Sequence, residues 1–86
     1  MRHQLKILPE YFDAIDSMAK EFEIRKDDRG FAVGDTLELS EHDGGEYTGR
    51  RMIVSVTYIT DFGQSPGYVA MGIKVRSGFI YQGGQR

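Results

Sequence analysis

The sequence contains no cysteine, which removes disulfides and thiolate metal sites from consideration. A reducing cytoplasm is the setting that this implies. Histidine is scarce as well, with His3 and His42 far apart in the chain. A metal site would need carboxylates, and none fall at ligand spacing, so neither a metal nor another cofactor is expected. No apolar run approaches the length of a membrane span, and the N-terminus lacks the apolar centre of a signal peptide. No membrane partner is expected. Also missing are the signatures of a nucleophile elbow, a phosphate-cradling loop and a dinucleotide fold.

What remains is a short chain with a small negative balance. Its 86 residues leave room for one core, and a chain of this size hides only about 60–65% of its unfolded surface. Residues 1–86 are therefore read as a single domain. A net charge of −2 and a pI of about 5.6 argue against a uniformly basic polyanion binder. The cations are nevertheless unevenly placed. Lys20, Arg25, Lys26 and Arg29 crowd one segment, Arg50 and Arg51 a second, and Lys74 and Arg76 a third.

Periodicity supplies the elements. Leu5 and Ile7 alternate in a strand over residues 4–8. Pro9 suits the first turn of a helix and Glu10 its N-terminal dipole, although Leu8 is a poor N-cap. Tyr11, Ile15, Met18 and Ala19, flanked by Phe12, form one stripe, which predicts a helix over residues 9–19. Residues 21–25 alternate, placing Phe22 and Ile24 in the core. Glu23 and Arg25 then share the opposite face, roughly 6.6 Å apart along the strand.

Residues 26–30 read as a turn, Val33-Gly34-Asp35 as a bend and residues 36–40 as a half-buried strand. Asp43-Gly44-Gly45-Glu46 is the strongest hairpin signal. In a long strand over residues 50–60, Met52, Val54, Val56 and Tyr58 share one face, with Ile53 and Ile59 on the other. A loop over 61–67 leads to alternating Val69, Met71, Ile73 and Val75, then a short last strand over 78–81 and a frayed tail over 82–86. This order describes a β-rich α+β fold: a small, mostly antiparallel β-barrel with one helix near a barrel end.

Lys20, Glu23 and Arg25 are the sharpest chemical feature. A helix end delivering Lys20 beside a strand that presents Glu23 and Arg25 makes a mixed-charge cleft, in which Arg grips a phosphate or carboxylate through its planar fork. The bland alternative, a solvated salt-bridge face, is favoured by residue type alone. Asp28 and Arg29 either extend the basic rim or close the turn through an Asx-type hydrogen bond. Arg50, with Arg51, either meets a nucleic-acid backbone or merely begins a strand. Phe31, Tyr47, Tyr58, Phe62 and Tyr68 are interleaved with cations, as a stacking platform for bases requires. In so small a protein most of them are expected in the core, and Phe62, in a Gly-rich loop, is the candidate ligand contact.

At Lys20-Glu21-Phe22-Glu23-Ile24-Arg25 the chain resembles the ASCH superfamily of PUA-like barrels, whose motif is written G-x-K-x-x-E-x-R. Lys20, Glu23 and Arg25 match its last three fixed positions, and Met18 stands where the motif has Gly. The resemblance is closer to a small uncharacterised group within it, found mostly in bacteria and their phages. It rests on His3-Gln4-Leu5-Lys6, Leu8 to Phe12, Phe22 to Lys26, Asp28-Arg29, Val33-Gly34-Asp35 and Tyr47 to Arg50. The resemblance implies a PUA-like fold and an RNA or nucleotide-like ligand in a cleft between helix and barrel. The expected binding residues are Lys20, Glu23, Arg25, Lys26, Asp28, Arg29, Arg50 and Phe62, with no catalytic residue.

Two alternatives stand beside it. Some small superfamily members resemble amidohydrolases of acetylated cytidine that use a Lys, a Thr and a carboxylate. In that case Lys20 and Glu23 would be catalytic, although Glu23 occupies the place of the Thr. The other alternative is a phage or host regulatory module that contacts a protein.

Overall fold

The computed structural model describes residues 1–81, with side-chain detail as far as Ser77; the expected frayed tail lies outside these residues. The chain forms β1 (Arg2–Ile7), α1 (Pro9–Asp16), β2 (Phe22–Lys26), β3 (Thr36–Asp43), β4 (Glu46–Thr60) and β5 (Tyr68–Tyr81). All five strands join one sheet in the order β1-β3-β4-β5-β2, curled into a half-barrel. Only β1 on β3 is parallel; the other pairings are antiparallel. The β-rich, mostly antiparallel fold with a single helix is thus the one expected. Residues 78–81 continue β5 and do not form a separate strand.

The concave side holds the core. Leu5 and Ile7 of β1, Leu37 and Leu39 of β3, Met52, Val54 and Val56 of β4, and Val69, Met71 and Ile73 of β5 all point there. Helix α1 lays Phe12 and Ile15 over them, almost wholly buried. Burial of each contributes about 1.5–3 kcal/mol. The helix is shorter than its expected end at residue 19. Met18 adopts φ +66°, its N–H turns to the Ile15 carbonyl, and the Lys20 N–H reaches the Ala14 carbonyl. Met18 and Ala19 therefore lie beyond the helix and are exposed, and Tyr11 is turned out of the core.

Two further expectations are reversed. Along β4 the register shifts between Val56 and Tyr58, so Tyr58 pairs with Gly72 and turns outward while Ile59 packs on the core. One extra residue in a strand inverts its alternation. A Cβ at Gly72 would stand 3.1 Å from Thr57 Oγ1, so the bulge sits on a residue without a side chain.

The second reversal is in β2. Phe22 and Ile24 are about half exposed, at 47% and 48%, whereas Glu23 is buried. Register explains this, since Glu23 pairs with Met71 and Arg25 with Val69. Directly paired residues share a face, so burying Met71 and Val69 carries Glu23 and Arg25 inward with them.

The curl brings the two edge strands face to face. β1 and β2 do not pair; arginine side chains span the gap between them. Arg25 Nη2 donates to the Lys6 carbonyl at 2.6 Å and Arg29 Nη1 to the Gln4 carbonyl at 2.9 Å. No helix among the described residues is long and apolar enough to cross a membrane.

Candidate functional site

The seam between β1 and β2 opens, beside α1, into a cleft of about 500 Å³. Ile7, Leu8 and Tyr11 line one side and Lys20 with residues 22–25 the other. Three sequence features build its polar wall. The left-handed turn at Met18 aims Lys20 back at β2, and register carries Glu23 inward. Alternation then sets Arg25 on the same face as Glu23.

The three charged side chains converge on Glu23. Lys20 Nζ donates to Glu23 Oε1 at 2.5 Å and Arg25 Nε to Glu23 Oε2 at 2.7 Å. A buried carboxylate without such partners would be strongly destabilised. Lys20 Nζ also donates to the Phe22 carbonyl at 2.8 Å, and it lies 5.4 Å from the Tyr11 ring centre and 5.0 Å from that of Phe22. Two cations around one carboxylate leave the cluster with one net positive charge. The arrangement suits a small anion with a flat, partly apolar body.

The other expected residues scatter. Lys26 ends β2 on its outer face, and Asp28 and Arg29 follow in the turn with a 3.8 Å ion pair. The side-chain bond that closes this turn comes from Asp27, whose Oδ1 accepts from the Phe31 N–H four residues on. Phe62 is 87% exposed in the β4–β5 loop. Of the five interleaved aromatics only Phe31 is buried; Tyr47, Tyr58, Phe62 and Tyr68 are exposed, against the expectation that most would be core. Tyr11, Phe22 and Ile24, which line the cleft, are residues that sequence reasoning placed in the core. The inward side of β2 is set by its pairing with β5, distant in sequence, so no local signal marked Phe22 and Ile24.

Arg50 belongs to a different cluster. Its Nε and Nη2 donate to Glu41 at 2.9 and 2.5 Å, and Nη2 reaches Asp13 of α1 at 2.8 Å. The guanidinium also lies 4.3 Å from the Phe12 ring centre, tying the helix to β3 and β4. Hydrogen bonds from Arg50 hold the Glu41 carboxyl below its ordinary range, against the opposing effect of burial. Glu38 is likewise lowered, by Arg2 first and then Arg51.

A third cluster surrounds Asp35. His3 Nε2 donates to its Oδ2 at 2.9 Å, and the Met1 amine to its Oδ1 at 3.1 Å. With the Ala32 N–H added, these bonds lower the Asp35 carboxyl to about 2. His3, silent in the sequence, is a buried structural residue packed edge-on against Phe31. Among the described residues, no group of three or more His, Asp or Glu side chains is placed to hold a metal ion.

Two comparisons bear on kinship. A similar protein, described as the uncharacterized 12.9 kDa protein in the GpA 3' region of Escherichia phage P2, is 41% identical over 59 residues. That match covers 69% of this chain and 54% of the phage protein, so the chain spans about half the length of its relative. The model of one family, described only as a domain of unknown function, matches residues 2–73. With every strand except the end of β5, the whole helix and the cleft inside that match, the chain belongs to the DUF3850 family.

Proposed function

We propose that the cleft binds a nucleotide, either free or as part of an RNA. One observation carries this reading: Lys20 and Arg25 occupy both oxygens of a buried Glu23 on the wall of a roughly 500 Å³ cleft. The net positive charge attracts a phosphate, and the ring faces and aliphatic side chains of Tyr11, Phe22, Ile7 and Leu8 receive a base. The volume lies within the range of about 300–1,000 Å³ common to small-ligand sites. The resemblance of Lys20 to Arg25 to the ASCH motif points the same way. Cytoplasmic residence agrees with a chain that has no cysteine.

Binding is favoured over hydrolysis of an acylated nucleoside. Lys20 Nζ donates to two oxygens, and the place of the expected Thr is held by Glu23 inside an ion-pair cluster. Chemical-shift mapping with uridine 5′-monophosphate locates the site. Perturbations should gather on Tyr11, Lys20, Phe22 and Arg25. Perturbations confined to Arg50 and Tyr47 would place binding elsewhere and overturn the proposal.

A further inference from the structure

The outer face of β2, β5 and the second half of β4 plays no part in the core and touches the cleft only at its edge. Register aligns Phe22 with Gly72 and Tyr58, Ile24 with Ala70 and Thr60, and Lys26 with Tyr68. Phe22, Ile24, Tyr58 and Tyr68 are all exposed, Tyr58 to 64%. Gly72 and Ala70 run between the bulky residues of β2 and β4, so the middle of the face is a shallow trough flanked by rings.

Charge on the strands of this face is one-sided, while Asp16 and Glu21 line a cavity beside Lys74, and Asp27 and Asp61 one beside Tyr68. Residues 22–26, 53–60 and 68–76 contain a single carboxylate, Glu23, and it points inward. Lys26, Lys74 and Arg76 are exposed, and none forms an ion pair among the described residues. Lys74 pairs with Ser55, whose Oγ accepts from Arg76 Nε at 2.7 Å, which gathers both cations at one end of the trough. Lys26 stands at the other end beside Tyr68. In a chain of net charge −2, the three cations stand on the strands among exposed rings, and the nearest acids lie at the margins of the face without pairing to them. An apolar protein surface would match the rings and leave the cations uncompensated. A single nucleic-acid strand matches both, because bases stack on rings while phosphates meet the cations.

We propose that this face is a stacking platform for single-stranded nucleic acid, with bases on Tyr58, Tyr68 and Phe22 and phosphates at Lys26, Lys74 and Arg76. It rests on the cleft reading only for the kind of ligand, and Phe22 and Ile24 belong to both surfaces. The test compares a labelled oligouridylate, followed by anisotropy, with uridine 5′-monophosphate, followed by calorimetry. Tyr58→Ala and Tyr68→Ala alter exposed side chains, and circular dichroism checks that the fold is kept.

Each variant should weaken the oligonucleotide roughly five- to a hundred-fold, the effect of losing one stacked base, and leave the mononucleotide unchanged. Oligonucleotide binding that needs the tyrosines, without mononucleotide binding, supports the platform and removes the cleft reading. Mononucleotide binding with no gain for the oligonucleotide, or tyrosine variants of undiminished affinity, overturns the platform. Tyrosine variants that abolish self-association in sedimentation and leave oligonucleotide binding unchanged would make this a face for a second copy, which also overturns it.

Discussion

Arg25 joins the two unpaired edges of the sheet by donating to the Lys6 carbonyl at 2.6 Å, while its Nε holds Glu23 at 2.7 Å. One side chain thus closes the seam and completes the charged wall of the cleft. Stability and ligand binding are coupled at that residue, and the coupling sets the choice of variants below.

Arg25→Ala should lower stability by about 1.5–3 kcal/mol, the range for hydrogen bonds to charged groups. Because Arg25 is about a quarter exposed, solvent screening favours the lower end. Arg25→Lys should recover only part of the loss, since one ammonium cannot reach both oxygens as the guanidinium fork does. Urea denaturation of the three proteins measures this. Equal midpoints would mean that the seam is held by other contacts.

Met18 occupies the left-handed region at φ +66° with its side chain 69% exposed. That conformation costs a non-glycine residue about 1–2 kcal/mol, of which glycine's greater chain entropy offsets part. Met18→Gly should therefore raise stability by roughly 0.5–1 kcal/mol. A higher midpoint in thermal or urea unfolding is the expected outcome.

Asp35 governs the acid limb. Its carboxyl is lowered to about 2 in the folded chain, chiefly by the His3 hydrogen bond and then by the Met1 amine. An unfolded Asp titrates near about 3.9. A depressed folded value means the unfolded chain binds the proton more readily, so the contribution is present above about pH 4 and is lost as pH falls toward about 2. Glu38 and Glu41 are shifted in the same direction and add to the loss. Unfolding free energy measured against pH should fall through this window, and Asp35→Asn should flatten the fall.

Much of the fold was legible because its signals are local. The Gly44-Gly45 hairpin, the start of the helix at Pro9 and the alternation of Val69, Met71 and Ile73 each stand within a few residues of sequence. The inversion of β2 was not legible, because alternation says only that Phe22 and Ile24 share a face. Which face is inward is decided by pairing with β5, a contact distant in sequence. Tyr58 was misplaced because a bulge leaves no mark in composition. The convergence of Lys20, Glu23 and Arg25 followed from their spacing. Arg50 stands apart from that wall because its partners Glu41 and Asp13 come from two other elements.

The cleft reading is tested most directly by calorimetric titration of uridine 5′-monophosphate and of uridine into the wild-type protein and Lys20→Ala. The monophosphate should bind the wild type at least about ten-fold more tightly than the nucleoside, the factor that about 1.4 kcal/mol of charge-assisted contact supplies. Added salt should erode that margin, and Lys20→Ala should remove most of it. Equal affinities for the two ligands, or a margin that Lys20→Ala leaves intact, would contradict a phosphate at the Lys20–Glu23–Arg25 wall.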